Sequence, residues 1–157
     1  MSVVAQIVSA PIDTGALARA AASPTDGAVA TFEGRVRNHH QGKQVERLEY
    51  HAYAEMAREE LERIGAEIAV RFAVGHVALA HRTGDLAVGE VSVAVVVAAP
   101  HRHPALDGCA AAIEEIKRRL PVWKKEFFAD GEPQWVFGPD EICPTDNGDT
   151  SPGARCD

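Results

Sequence analysis

The chain has 157 residues, enough for one domain with a real hydrophobic core and too few for two ordinary ones. A formal net charge of -7 argues against generic binding to nucleic acid or an anionic membrane, since counterion release needs a surplus of lysine and arginine on the contacting face. Three cysteines, at 109, 143 and 156, form no CxxC pair and suggest neither a disulfide framework nor a zinc ribbon, which fits a reducing cytoplasm. The opening MSVVAQIVSA lacks the basic region and apolar length of a signal peptide, and the longest apolar run, Val93 to Pro100, is strand-sized rather than membrane-sized.

In chain order, DTGALARAAA predicts a short helix capped by Asp13 or Thr14 and ended by the turn residues Ser23-Pro24-Thr25-Asp26-Gly27. GAVATFEGRVR then alternates as a strand, with Ala28, Ala30, Phe32, Gly34 and Val36 on one face and Thr31, Glu33, Arg35 and Arg37 on the other. The polar loop NHHQGKQ leads into a second alternating run, VERLEYHAY, in a hairpin-like pattern. From Ala54 to about Phe72, Met56, Ala57, Leu61, Ile64 and Ile68 recur at helical spacing, the mark of an amphipathic surface helix. HVALAHRTG and GEVSVAVVVAAP predict two more strands around the Gly84-Asp85 turn, the second apolar enough to be central in a sheet. Pro104 suits the first turn of a helix that runs to about Leu120, where Pro121 disfavours helical geometry, and VWKKEFF and PQWVF follow as short strands. Residues 1–137 are thus expected to form the domain, and 138–157, rich in Pro, Gly, Asp and Thr, a disordered acidic tail.

On a wheel of the last helix, Leu106, Cys109, Ala110, Ile113, Ile116 and Leu120 share a sector, and Lys117 falls inside it. A lysine there must snorkel, pair with an anion or lose its proton. His101 and Arg102 stand where a strand meets a helix N-terminus, Arg35 and Arg37 at another strand end, and Lys124 and Lys125 shortly after Lys117. Together they would make a cationic pocket for phosphate and developing negative charge, although each alone has a solvated surface as its ordinary fate. His101 and His103, with His39 and His40, raise a metal site, but no third ligand stands at a characteristic spacing and Arg102 would repel the ion, so none is assigned. Cys109 reads as core packing, as do Trp123, Trp135, Phe127 and Phe128.

Three separated stretches, TFEGRVRNHHQGKQVERLEYHAYAEMA, HRTGDLAVGEVSVAVVVAAPHR and EEIKRRLPVWKKEFF…GEPQWV, together resemble the large, catalytic subunit family of molybdopterin synthase in order and spacing, from about Gly27 to Val136. The resemblance implies an α+β fold, an antiparallel sheet packed by helices with a smaller β subdomain of α/β hammerhead type. It implies a sulfurtransferase of molybdenum cofactor biosynthesis that converts precursor Z, the cyclic pyranopterin monophosphate, to molybdopterin. Two sulfurs would come from a small ubiquitin-like carrier whose C-terminal glycine is a thiocarboxylate, with the large subunit a homodimer inside a heterotetramer and no cofactor of its own.

Carried over residue by residue, the family's substrate-binding positions are Arg35, Val36, Arg37, His101, Arg102, Lys117, Lys124, Lys125 and Glu126, with Lys117 and Lys124 catalytic. Charge suggests the roles. Arg37, His101 and Arg102 would hold the phosphate and pterin, Lys117 would polarise the carrier's acyl carbonyl or shuttle protons, and Lys124 would stabilise the phosphate as its ring opens. A lysine made less basic by the apolar helix face could exchange protons near neutrality. One departure is plain: after Trp135 the chain reads Val136-Phe137-Gly138-Pro139, without the arginine that family members often send into the neighbouring site, so either Arg155 or another residue substitutes or the shared-site feature is absent. Two other classes remain open, a noncatalytic binding module for a phosphorylated metabolite or an acidic peptide tail, and a histidine-based metal hydrolase.

Overall fold

A computed structural model describes residues 1–137; the tail expected from residue 138, with Cys143, Cys156 and Arg155, lies outside the described residues. The elements run β1 (Ser2–Val8), α1 (Thr14–Ala21), β2 (Ala28–Arg35), β3 (His39–His40), β4 (Lys43–Ala52), α2 (Ala54–Phe72), β5 (His76–Arg82), β6 (Gly84–Ala87), β7 (Val91–Ala99), α3 (Arg102–Arg119), β8 (Val122–Phe128) and β9 (Gln134–Phe137). The fold is α+β. Periodicity foretells the three helices and most strands; β1, β3 and β6 are additions, and β6 forms where the Gly84-Asp85 turn stands in the sequence reading.

The first sheet has the order β1-β5-β7-β2. Its β5, β7 and β2 pair antiparallel, while β1 joins the edge parallel to β5. α2 and α3 cover one face, where Leu61, Ile64, Ile68, Ala112 and Ile116 pack on Val77, Leu79, Val93, Val95 and Val97. On the other face Leu17, Ala18 and Ala21 of α1 meet Ala78 and Val96. Because both faces are covered, β7 reads as an unbroken apolar run rather than an alternating one. α1 starts as its sequence requires, with the Asp13 carboxylate accepting from Ala16 N at 2.8 Å.

The second sheet has the order β3-β4-β8-β9, with β6 also paired to β4. Its own core is Val36, Val45, Leu48, Tyr50, Leu86 and Phe128.

Two helical faces differ from their wheels. In α2, Met56 is exposed, and Gly65 faces the sheet so closely that an added Cβ would lie 2.4 Å from Val3 Cγ1. In α3 the buried residues are Ala105, Gly108, Cys109, Ala112 and Ile116, while Leu106 is exposed. The small side chains of Ala, Gly and Cys let α3 approach β7, so the seam lies about one residue around the helix from the one that side-chain size selects. Lys117 consequently lies outside the seam and is exposed.

Candidate active site

Strand pairing decides which of the cations meet. β2 and β7 are antiparallel, with Ala28 opposite Ala99 and Arg35 opposite Val91. α3 turns back immediately after β7, and its 18 residues retrace the strand, so that Gly108 lies by Val97 and the helix end comes to the β7 start. His81, opposite Val93, feels the Lys117 ammonium. The C-terminal ends of β2 and α3 and the end of β5 therefore gather at one corner, where the second sheet joins the first. His101 and Arg102 lie at the far end of the same strands, and at about 3.3 Å per residue the seven steps from Ala28 to Arg35 put roughly 23 Å between the two groups. Within one chain the expected pocket is thus divided, with Arg37, Lys117 and Lys124 at one end and His101 and Arg102 at the other.

At the near corner β8 supplies the most ordered part. Lys124, Glu126 and Phe128 share the inner face of the second sheet, since Lys124 lies opposite Tyr50 and Glu126 opposite Leu48 of its core. Glu126 is 3% exposed, a burial that a carboxylate tolerates only with donors at hand. His40 Nδ1 lies 2.5 Å from its Oε2, and Lys124 Nζ lies 3.3 Å from its Oε1. Lys125 projects from the opposite face, with its ammonium 5.1 Å from the Trp135 ring and 5.4 Å from Phe127. The paired lysines of VWKKEFF therefore serve two different surfaces.

His81 is a residue the sequence reading passed over. It is 5% exposed, its Nδ1 donates to Arg82 O across 2.9 Å, and its ring meets Tyr50 edge-on at 5.0 Å. A carbonyl only accepts, so Nδ1 carries the proton of the neutral ring and Nε2 is an acceptor. Burial holds its pKa down at about 4, with the Lys117 charge adding to the effect. The signal was a lone histidine on the inward alternation of HVALAHR, in phase with Val77 and Leu79. His40 enters the sequence reading only as a candidate metal ligand, because its partner Glu126 is 86 residues away.

Arg35 is exposed and forks onto Glu33 Oε2, through Nε at 2.9 Å and Nη2 at 2.6 Å, which holds the Glu33 carboxyl below its ordinary range. Val36 is buried, its N–H donates to Glu90 O at 3.0 Å and its carbonyl accepts from Gly89 N at 2.8 Å, so it fixes the path between Arg35 and Arg37. Arg37 is exposed just past the strand end. His101 is the N-cap of α3 without a side-chain cap bond, and Arg102 and His103 begin the helix, all exposed. His101 and His103 are therefore not neighbours on a strand face, and among the described residues no group of three or more His, Cys, Asp and Glu side chains is arranged to hold a metal. Burial pushes the Cys109 thiol up to about 11, consistent with packing rather than nucleophilic chemistry.

Three aromatic expectations change. Trp123 is on the outer face of the second sheet, stacked with His51 at 6.1 Å and close to Tyr53 at 5.1 Å, and Trp135 is 45% exposed beside the same histidine. Strand alternation puts Trp123, Lys125 and Phe127 outward together, so only Phe128 of the β8 aromatics joins a core.

Fold and site thus define an α+β protein that gathers lysine and arginine around the buried His81 and Glu126 at the junction of two sheets. The chain belongs to the MoaE protein family, whose model matches residues 7–119. It is 40% identical to the molybdopterin synthase catalytic subunit of Bacillus subtilis over 154 residues, covering 97% of this chain and 98% of that one. The crystal structure of molybdopterin synthase from Staphylococcus aureus superposes with a TM-score of 0.80 at 37% identity, covering 84% of this chain and 96% of that one. A protein complex of subunits 1 and 2 of molybdopterin-converting factor from Helicobacter pylori shares the fold at a TM-score of 0.67 and 23% identity, over 87% of this chain and 90% of that one. Among the described residues no helix is long and apolar enough to cross a membrane.

Proposed function

We propose that this chain is the catalytic subunit of a cytoplasmic molybdopterin synthase, a sulfurtransferase that converts precursor Z to molybdopterin. The observation that supports the reading is the junction of the two sheets, where the Lys117 charge acts on the buried His81, whose ring meets Tyr50, the residue opposite Lys124 of the Lys124-Glu126 pair. Each sulfur would arrive as the C-terminal thiocarboxylate of a small ubiquitin-like carrier. Lys117, the exposed member, would meet the acyl carbonyl, and the carrier would leave as a carboxylate once water has replaced its sulfur. Lys124, held on a buried carboxylate, would take up charge as the cyclic phosphate opens. Arg37 would hold the anion.

His101 and Arg102 would join this site from a second copy. Their separation from Lys117 along β2 and β7 supports that, and a homodimer bearing a carrier on each subunit would then form the heterotetramer. The free N–H groups at the α3 N-terminus suit a phosphate from a neighbouring molecule as well as from the same one.

The test is to mix the protein with precursor Z and a verified thiocarboxylated carrier and look for molybdopterin by mass. Wild type should form it, and Lys117→Ala should lose at least a hundredfold in rate with fold and carrier binding intact. Carrier binding without product from wild type would favour the noncatalytic binding module.

A further inference from the structure

The side chain of His40 has no part in the chemistry proposed above, yet it is mostly buried and bonded to a carboxylate of the second sheet. It sits on β3, a strand of two residues joined to β4 through Gln41 and Gly42, both at positive φ. Its ladder to β4 is only His40 opposite Lys43 and His39 opposite Gln44, supported by Val45 N donating to Asn38 O at 2.8 Å. Such a short hairpin tip would ordinarily wave in solvent. Here the imidazole turns inward, 13% exposed, and meets the Glu126 carboxylate of β8 at 2.5 Å.

The same carboxylate faces Lys124, whose side chain is 19% exposed, through its other oxygen at 3.3 Å. A glutamate rotates about its last torsion almost freely, and a lysine has four rotatable bonds, so two such groups alone fix each other poorly. A third group bonded to one oxygen removes that rotation and gives the second oxygen one direction.

We infer that His40 is a positioning residue for Lys124, acting through Glu126. The imidazole pins Oε2, Oε1 then aims the ammonium, and the same pin ties the loop that carries Arg37 to the strand that carries Lys124. The inference rests on the functional reading above and adds a residue to that site.

The experiment compares His40→Phe, which keeps a planar ring but loses the bond, with His40→Gln, whose amide can still donate to the carboxylate. In the molybdopterin assay His40→Phe should lower kcat about tenfold with KM for precursor Z within twofold, and His40→Gln should recover most of it. In the Glu126→Gln background, His40→Phe should add less than a twofold loss, because the negative charge through which the imidazole aims Lys124 is gone. Wild-type kcat in His40→Phe, equal losses in the phenylalanine and glutamine variants, or full additivity with Glu126→Gln would overturn the assignment. A second readout needs no turnover. Lysine side-chain NMR of the whole chain should show Lys124 ordered in wild type and His40→Gln but averaged in His40→Phe, with Lys125 unchanged. If wild type makes no molybdopterin the functional reading fails, while the NMR arm still decides whether His40 holds Lys124, an unchanged Lys124 signal in His40→Phe counting against it.

Discussion

If His101 and Arg102 act in the site of a neighbouring subunit, two inactive variants should repair each other. One pool would carry Lys117→Ala, the other His101→Ala with Arg102→Ala. Both groups cannot serve one site within a chain, because the antiparallel register from Ala28 to Arg35 holds them roughly 23 Å apart, far beyond the reach of an arginine side chain. In a dimer that shares its sites across the twofold axis, a mixed dimer concentrates both defects in one site and leaves the other intact. Random reassortment makes half the dimers mixed, each with one working site of two, so activity should return to about a quarter of wild type. Co-expression with two affinity tags, or reassortment in mild denaturant, supplies the mixed dimers, and molybdopterin formation with excess carrier is the assay. Mixed dimers confirmed by mass but no more active than the separate pools would refute the shared site.

The remaining predictions concern stability. His81 titrates near 4 when folded and near 6.5 when free, so the unfolded chain binds the extra proton between those values and stability falls as pH drops from about 6.5 to about 4. The shift corresponds to an upper limit of about 3 kcal/mol, and urea unfolding of wild type against His81→Gln across that range should show the variant with the shallower decline; parallel curves would contradict a buried neutral ring. Arg119 joins α3 to α2 through Glu60 at 2.6 Å and Glu67 at 2.6 Å, with Glu115 of its own helix at 3.3 Å. Removing it leaves three carboxylates facing one another, so Arg119→Ala should cost about 2 kcal/mol in chemical denaturation, and an effect below 0.5 kcal/mol would mean that solvent already screens the cluster. Glu67 and Glu115 titrate below their ordinary range because Arg119 and Arg118 bond to them, so this stabilisation is present above the usual carboxylate pKa and is lost as pH falls through the lowered values.

Much of the fold was legible because periodicity and punctuation are local. The Asp13 cap, the span of α2 and the stop at Pro121 all follow from residues within a few positions of one another. β3 and β6 were not legible, since strands of two and four residues exist only through the β4 that pairs with them. Lys117 shows the limit of the wheel. Its apolar sector was chosen by the size of Leu106 and Ile113, whereas close packing on β7 selected Ala105, Gly108 and Ala112, leaving Leu106 and Lys117 exposed.

By itself the sequence determined the class of elements, the family and the identity of the cations, because those depend on residue type and spacing. Tertiary structure alone decided which cations share a corner. Antiparallel pairing of β2 with β7 sends His101 and Arg102 away from Arg37, and strand alternation on β8 sends Lys124 inward and Lys125 outward. It also brought the Lys117 charge to act on His81 and supplied the pin from His40 to Glu126, interactions between residues 36 and 86 positions apart that no local pattern could encode.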